Sequence, residues 1–129
     1  MPPGKRAAAR QAHKDALGSH AETLAAEHLE RLGFAIVDRN VRVGRLEIDI
    51  VARRGELVVF CEVRARTDDR WVAPHQTIDR RKIGRIRAGA AGWLREHSPA
   101  GPVSIRLDVA SVVIAEGHDA RVDYFEGAL

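Results

Sequence analysis

Leu46-Glu47-Ile48-Asp49-Ile50-Val51-Ala52 leads through Arg53-Arg54-Gly55-Glu56 into Leu57-Val58-Val59-Phe60-Cys61-Glu62-Val63-Arg64. This stretch decides the fold. Leu46, Ile48 and Ile50 alternate with Glu47 and Asp49, the period of a half-buried strand whose acids project from one face. The run from Leu57 to Arg66 is rich in Val and Phe and reads as a second strand. The polar, glycine-containing segment between them predicts a hairpin. If its loop holds an even number of residues, with Arg53 opposite Glu56, Asp49 faces Phe60. Glu62 then lies one diagonal step from Asp49 on the same face, roughly 7–8 Å away between backbones. Arg64 follows on that face. Two carboxylates beside a cation suit a hard divalent ion, since Mg2+ takes one or two carboxylate oxygens and keeps several waters. A solvated cross-strand ladder of charges accounts for the same residues. An odd loop would put Asp49 and Glu62 on opposite faces.

Around the hairpin the rest of the chain falls into order. Residues 1–15 are basic and alanine-rich without apolar periodicity, and read as a flexible arm or frayed helix. Residues 16–129 read as a single domain. Leu17, Ala21, Leu24, Ala25, Leu29 and Leu32 recur at helical spacing over Ala16–Leu32, and Gly33 stands where a left-handed C-terminal cap belongs. Phe34 to Asp38 predicts a first strand. A polar loop, Thr67 to Gln76, carries Trp71, Pro74 and His75. A second helix is expected over Ile78–Glu96, with Ile83, Ile86, Ala90, Trp93 and Leu94 on its buried stripe and Lys82 at the margin. Strands at Val103–Ala115 and Arg121–Phe125 follow. The order αβββαββ predicts an α/β fold, a mixed five-stranded sheet flanked by helices, and not an alternating nucleotide-binding βαβ architecture.

Composition narrows the function. The chain has 129 residues, 45% apolar and 30% charged, with ordinary globular balance. No run is long and apolar enough to span a membrane, and the start lacks the apolar core of a secretory signal. The single cysteine, Cys61, cannot form an internal disulfide and fits a reducing cytoplasm. No P-loop, dinucleotide fingerprint or zinc-spaced Cys/His cluster is present. The formal charge is only +3. Yet Lys5, Arg6, Arg10 and Lys14 form one basic cluster, and Arg80, Arg81, Lys82, Arg85 and Arg87 another. Such clusters are the footprint of a polyanion partner, or else solvated helix faces.

The layout resembles the PD-(D/E)XK, or restriction endonuclease-like, nuclease superfamily, within it the small bacterial YraN-like proteins, and is similar to the archaeal Holliday-junction resolvases. The resemblance spans roughly residues 18 to 125. It rests on Gly18 with Ala21-Glu22, on Asn40 and Arg42, and on Glu47 through Ala52. Phe60 through Arg66, Lys82 and Arg106-Leu107-Asp108-Val109 complete it. It implies that Asp49 is the central metal-binding aspartate, that Glu62 is the second acidic ligand, and that Val63 offers a backbone carbonyl to the same ion. Glu22 matches a helix glutamate directed at the metal and its water. The resemblance therefore implies a Mg2+- or Mn2+-dependent endonuclease acting on branched DNA; nothing in the sequence itself selects DNA over RNA. Lys5, Arg6, Arg10, Lys14, Arg66, Arg80, Arg81 and Arg85 would hold the nucleic acid backbone. A homodimer is also implied, because a junction presents two strands to cut.

Arg64 departs from this pattern, which has lysine there, and Leu46 replaces a usual glycine. Arginine stays protonated in proteins and cannot act as a base, although its planar fork can hold a phosphate. Three consequences are open. The metal alone generates hydroxide with Arg64 as electrophile, or Lys82 supplies the missing amine, or the domain binds nucleic acid or a partner without cutting.

Overall fold

The structure is a computed structural model that describes residues 4–67 and 80–129, without the side chains of Lys5 and Lys14. Its elements run α1 (Gly4–Arg31), β1 (Ala35–Val43), β2 (Leu46–Arg54), β3 (Leu57–Arg66), α2 (Arg80–His97), β4 (Ser104–Val113) and β5 (Arg121–Phe125). The expected order αβββαββ is the observed one. Of the expected polar loop only Thr67 is described; Trp71, Pro74, His75 and the expected helix start at Ile78 lie outside the described residues. Among the described residues no helix is long and apolar enough to cross a membrane.

The strands form one five-stranded sheet in sequence order. Neighbours are antiparallel except β3 and β4, which run parallel because α2 carries the chain back between them. The β3 residues from Val58 to Glu62 are buried, as expected of a central strand covered on both faces. On one face Ala21, Ala25, Ala26 and Leu29 of α1 pack on Ile50, Ala52, Val59, Cys61, Ala110 and Val112. On the other, Ala90 and Trp93 of α2 pack on Ile48, Val51, Val58 and Phe60.

Helix α1 ends as its sequence dictates. Gly33 adopts φ 89, and the Gly33 and Phe34 N–H groups donate to the Glu30 and Leu29 carbonyls at 3.0 Å each, a Schellman cap. Its start differs from expectation: the helix begins at Gly4, and the described side chains of residues 4–16 are exposed. The basic segment read as a flexible arm or frayed helix is therefore the unpacked first half of α1. Ala7, Ala8 and Ala9 favour helix without supplying an apolar stripe, so periodicity alone misses it.

Strand β1 extends to Val43, well past the expected end at Asp38, and closes on β2 through the two-residue turn Gly44-Arg45. It is an edge strand, so Asp38, Arg39, Asn40 and Arg42 sit on it without being buried.

Helix α2 lies close to the β1–β2 hairpin because glycines face it. A Cβ on Gly89 would touch Ile48 and Leu46, and one on Gly92 would overlap the Val43 Cγ1 methyl. Gly92→Ala should therefore destabilise the fold by about 1–2 kcal/mol, overpacking outweighing the better helix propensity of alanine. A urea midpoint equal to or above the parent's would contradict this.

Candidate metal and nucleic-acid site

Turn chemistry sets the register on which the site depends. Gly55 takes φ 59, the positive value required at the first central position of a primed hairpin turn. The loop is therefore Gly55-Glu56, with Arg54 opposite Leu57, and not Arg53 opposite Glu56. The loop length stays even, so Asp49 and Glu62 keep a common face. The shift brings them directly into line, one step past the last pair, Ile50 with Cys61. There the two strands part, and the Val63 N–H donates to Asp49 Oδ2 at 2.8 Å. Val63 thus meets Asp49 through its N–H, where the expectation concerned its carbonyl.

A second device acts on the other edge of β2. Asn40, at φ 51, lies between the pairs Arg39 with Ile50 and Val41 with Ile48, which sets it across from Asp49. Asparagine tolerates this left-handed conformation better than most side chains. Around it the simple alternation of β2 breaks, since Ile48 packs on the α2 side and Ile50 on the α1 side. Asn40 was legible only as part of the family resemblance. Its independent signal was an asparagine inside a strand, where the residue is disfavoured.

Asp49 and Glu62 lie in a cleft of about 410 Å³ on the α2 side of the sheet, lined also by Arg45, Glu47, Arg64, Lys82 and Arg85. Glu62 is buried at 8% exposure. Lys82 Nζ stands 2.6 Å from Glu62 Oε1, and Arg64 Nε stands 3.7 Å from the same oxygen. Arg64 Nε is itself buried and makes no hydrogen bond among the described residues. Burial, and then the neighbouring Glu62 carboxylate, push the Asp49 carboxyl up to about 7. Glu22 reaches the same neighbourhood from α1. Burial raises its carboxyl above the usual range, partly offset by Arg39 and by a hydrogen bond from Asn40, and the charges of Glu47 and Glu62 act on it. Its Oε1 is buried with no hydrogen-bond partner among the described residues.

Among the described residues no group of three or more His, Cys, Asp or Glu side chains is placed to hold a metal. The candidate donors are therefore the Asp49–Glu62 pair. That pair fits a hard divalent ion: burial and the neighbouring Glu62 carboxylate hold the Asp49 carboxyl above its ordinary range, a cost that a bound divalent cation would offset, and the cleft leaves room for coordinated water.

The other expected site residues divide by location. Arg80, Arg81 and Arg85 are exposed on the first turns of α2, and Arg66 ends β3 half-buried. Arg6 and Arg10 are exposed on the first half of α1, apart from the residues that line the cleft. Lys5 and Lys14 belong to that segment, their side chains outside the described residues. Arg45, which lines the cleft from the β1–β2 turn, was missed by sequence reasoning because the turn itself was missed. Asp108 is separate from the acidic pair. It is fully buried, gripped by Arg106 Nε at 2.9 Å, by the Tyr124 hydroxyl at 2.6 Å and by the Gly127 N–H at 2.8 Å. That is the arrangement of a structural ion pair.

Residues 21–112 match the model of "Uncharacterised protein family UPF0102". A "UPF0102 protein" from Frankia alni is 44% identical over 115 residues, covering 89% of this chain and 95% of that one. Relatives of the same description from Beutenbergia cavernae and Anaeromyxobacter dehalogenans are 40% and 41% identical, covering 88% and 89% of this chain and 96% and 84% of theirs.

Proposed function

The chain belongs to the uncharacterised protein family UPF0102, and we propose that it is a metal-dependent nuclease of the PD-(D/E)XK type that hydrolyses phosphodiesters in branched DNA. One observation carries the reading: Asp49 and Glu62 face each other where β2 and β3 part, in a cleft lined by Arg45, Arg64, Lys82 and Arg85. In this reading Asp49 and Glu62 hold Mg2+ or Mn2+, which when bound lowers the pKa of a coordinated water and offsets phosphate charge. Glu22 orients that water from the α1 side. Arg64 binds the phosphate with its planar fork, and the nearby Lys82 amine takes the place of the lysine that Arg64 replaces. The first turn of α2 supports an anionic ligand, because Arg80, Arg81 and Lys82 add positive charge to the positive end of the helix dipole. Backbone contacts of this kind orient nucleic acid without reading its sequence.

A second reading has its own support. Lys82 and Arg64 both lie on Glu62 Oε1, so internal cations could satisfy the pair in a domain that binds nucleic acid, DNA or RNA, or docks a partner without cutting. Cleavage of a labelled four-way junction, beside duplex and flap controls and with Mg2+, Mn2+ or EDTA, separates the two. Metal-dependent cutting is the expected result. Tight junction binding with no cutting in either metal would establish the second reading instead.

A further inference from the structure

We infer that Lys82 is the resident counter-cation of the acidic pair and that a divalent ion and the Lys82 ammonium exchange on Glu62. This rests on the metal-binding reading above. Glu62 is almost wholly shielded from water at 8% exposure, and a carboxylate so placed needs a cation in contact. The cation in closest contact is Lys82, at 2.6 Å from Oε1, with Arg64 at 3.7 Å from the same atom.

The two cations are held differently. Arg64 is rooted on β3 two residues from Glu62, and its Nε is buried. Lys82 sits in the first turn of α2 with 36% of its side chain exposed, at the end of a flexible four-carbon stem. A divalent ion bound to Glu62 would face the ammonium across a single oxygen, and like charges at that spacing repel strongly in a shielded site. The lysine, with the longer flexible stem and the more exposed side chain, is the group that yields first. Displaced, its ammonium would still belong to the cleft wall, which Arg45, Arg64 and Arg85 also line and where Glu47 offers another carboxylate. The positive wall facing a phosphate is then completed by the exchange. Lys82 accordingly opposes metal binding while favouring the phosphate, two effects of opposite sign from one side chain.

Mn2+ binding measures the exchange directly, by loss of the free-ion electron paramagnetic resonance signal, in the parent, Lys82→Met, Lys82→Arg and Asp49→Asn. Lys82→Met should bind Mn2+ about tenfold more tightly than the parent, a size set by one contact charge partly screened by solvent. Lys82→Arg, which keeps the charge, should stay near the parent, and Asp49→Asn should lose the site. In the parent, Mg2+ should also shift the Lys82 side-chain nuclear magnetic resonance signals, a readout that needs no variant. Unchanged or weaker Mn2+ affinity in Lys82→Met, with a parent site that Asp49→Asn removes, would overturn the exchange and leave the metal reading intact. Absence of saturable binding in the parent and in Lys82→Met alike would overturn both.

Discussion

Asp49→Asn should lower metal-dependent cleavage by about 10³-fold or more, as removal of a group acting directly at the reacting centre does, and at pH 8 should raise the melting temperature of the metal-free protein. The two effects share a cause. Burial and the Glu62 carboxylate push the Asp49 carboxyl from 3.8 up to about 7. A group whose pKa rises on folding contributes its full stability below about pH 4 and loses it as the pH climbs through 7. The metal-free parent should therefore lose stability between about pH 4 and pH 7. Asparagine has no carboxylate to ionise and retains an oxygen to accept the Val63 N–H. The variant should melt about 3–8 °C higher than the parent at pH 8 and close to it only at pH 4 or below. Mn2+ should reverse the order at pH 8, since a ligand bound only by the folded parent stabilises only the parent. Cleavage surviving in Asp49→Asn would remove Asp49 from the site. Identical pH slopes in the two proteins would show that Asp49 does not resist ionisation.

The sequence made the topology legible because its apolar runs have element length and clear ends: helical spacing from Leu17 to Leu32, a strand-length run around Ile48 and Ile50 whose expected alternation the structure breaks at Asp49, and a buried run from Val58 to Cys61. Parity of the hairpin loop was enough to place Asp49 and Glu62 on one face. Register was not, because it depends on which turn position Gly55 occupies, and that is a matter of φ and not of composition. The second half of β1 escaped notice because an edge strand can carry Asp38, Arg39, Asn40 and Arg42 at no burial cost, and these residues do not read as strand. The meeting of Lys82 with Glu62 is a tertiary fact. It follows from how closely α2 approaches the β1–β2 hairpin, which Gly89 and Gly92 permit; in sequence those glycines read only as weak points of a helix. Lys82 was named as a candidate because the family resemblance includes it and because, from the margin of an apolar stripe, it could supply the amine that Arg64 lacks. The distance that gives it a role came only with the packing.

The largest stability effect should come from outside the cleft. Asp108→Ala should destabilise the fold by about 3–5 kcal/mol, the range for removing one partner of a buried ion pair. Asp108 is fully buried and accepts from Arg106 Nε at 2.9 Å and Nη2 at 3.0 Å, from the Tyr124 hydroxyl at 2.6 Å and from the Gly127 N–H at 2.8 Å. Burial, and then the acidic groups around it, push the Tyr124 hydroxyl well above its ordinary range, so it remains a donor. Alanine would strand these donors together, next to a guanidinium only 22% exposed. Against the roughly 5–15 kcal/mol that holds a domain together, such a loss is a large fraction. Asp108→Asn keeps the shape and one acceptor oxygen, and should lose less, about 1–3 kcal/mol. That variant separates structure from chemistry. Asp108 sits opposite Cys61 in the β3–β4 ladder, and Cys61 packs in the α1 core, on the face away from the cleft. Cleavage per folded molecule in Asp108→Asn should therefore stay within about twofold of the parent. A loss of activity without a matching loss of fold, read from denaturant unfolding beside the cleavage rate, would make Asp108 an accessory acid of the site instead of the anchor of β4, β5 and the C-terminal turn.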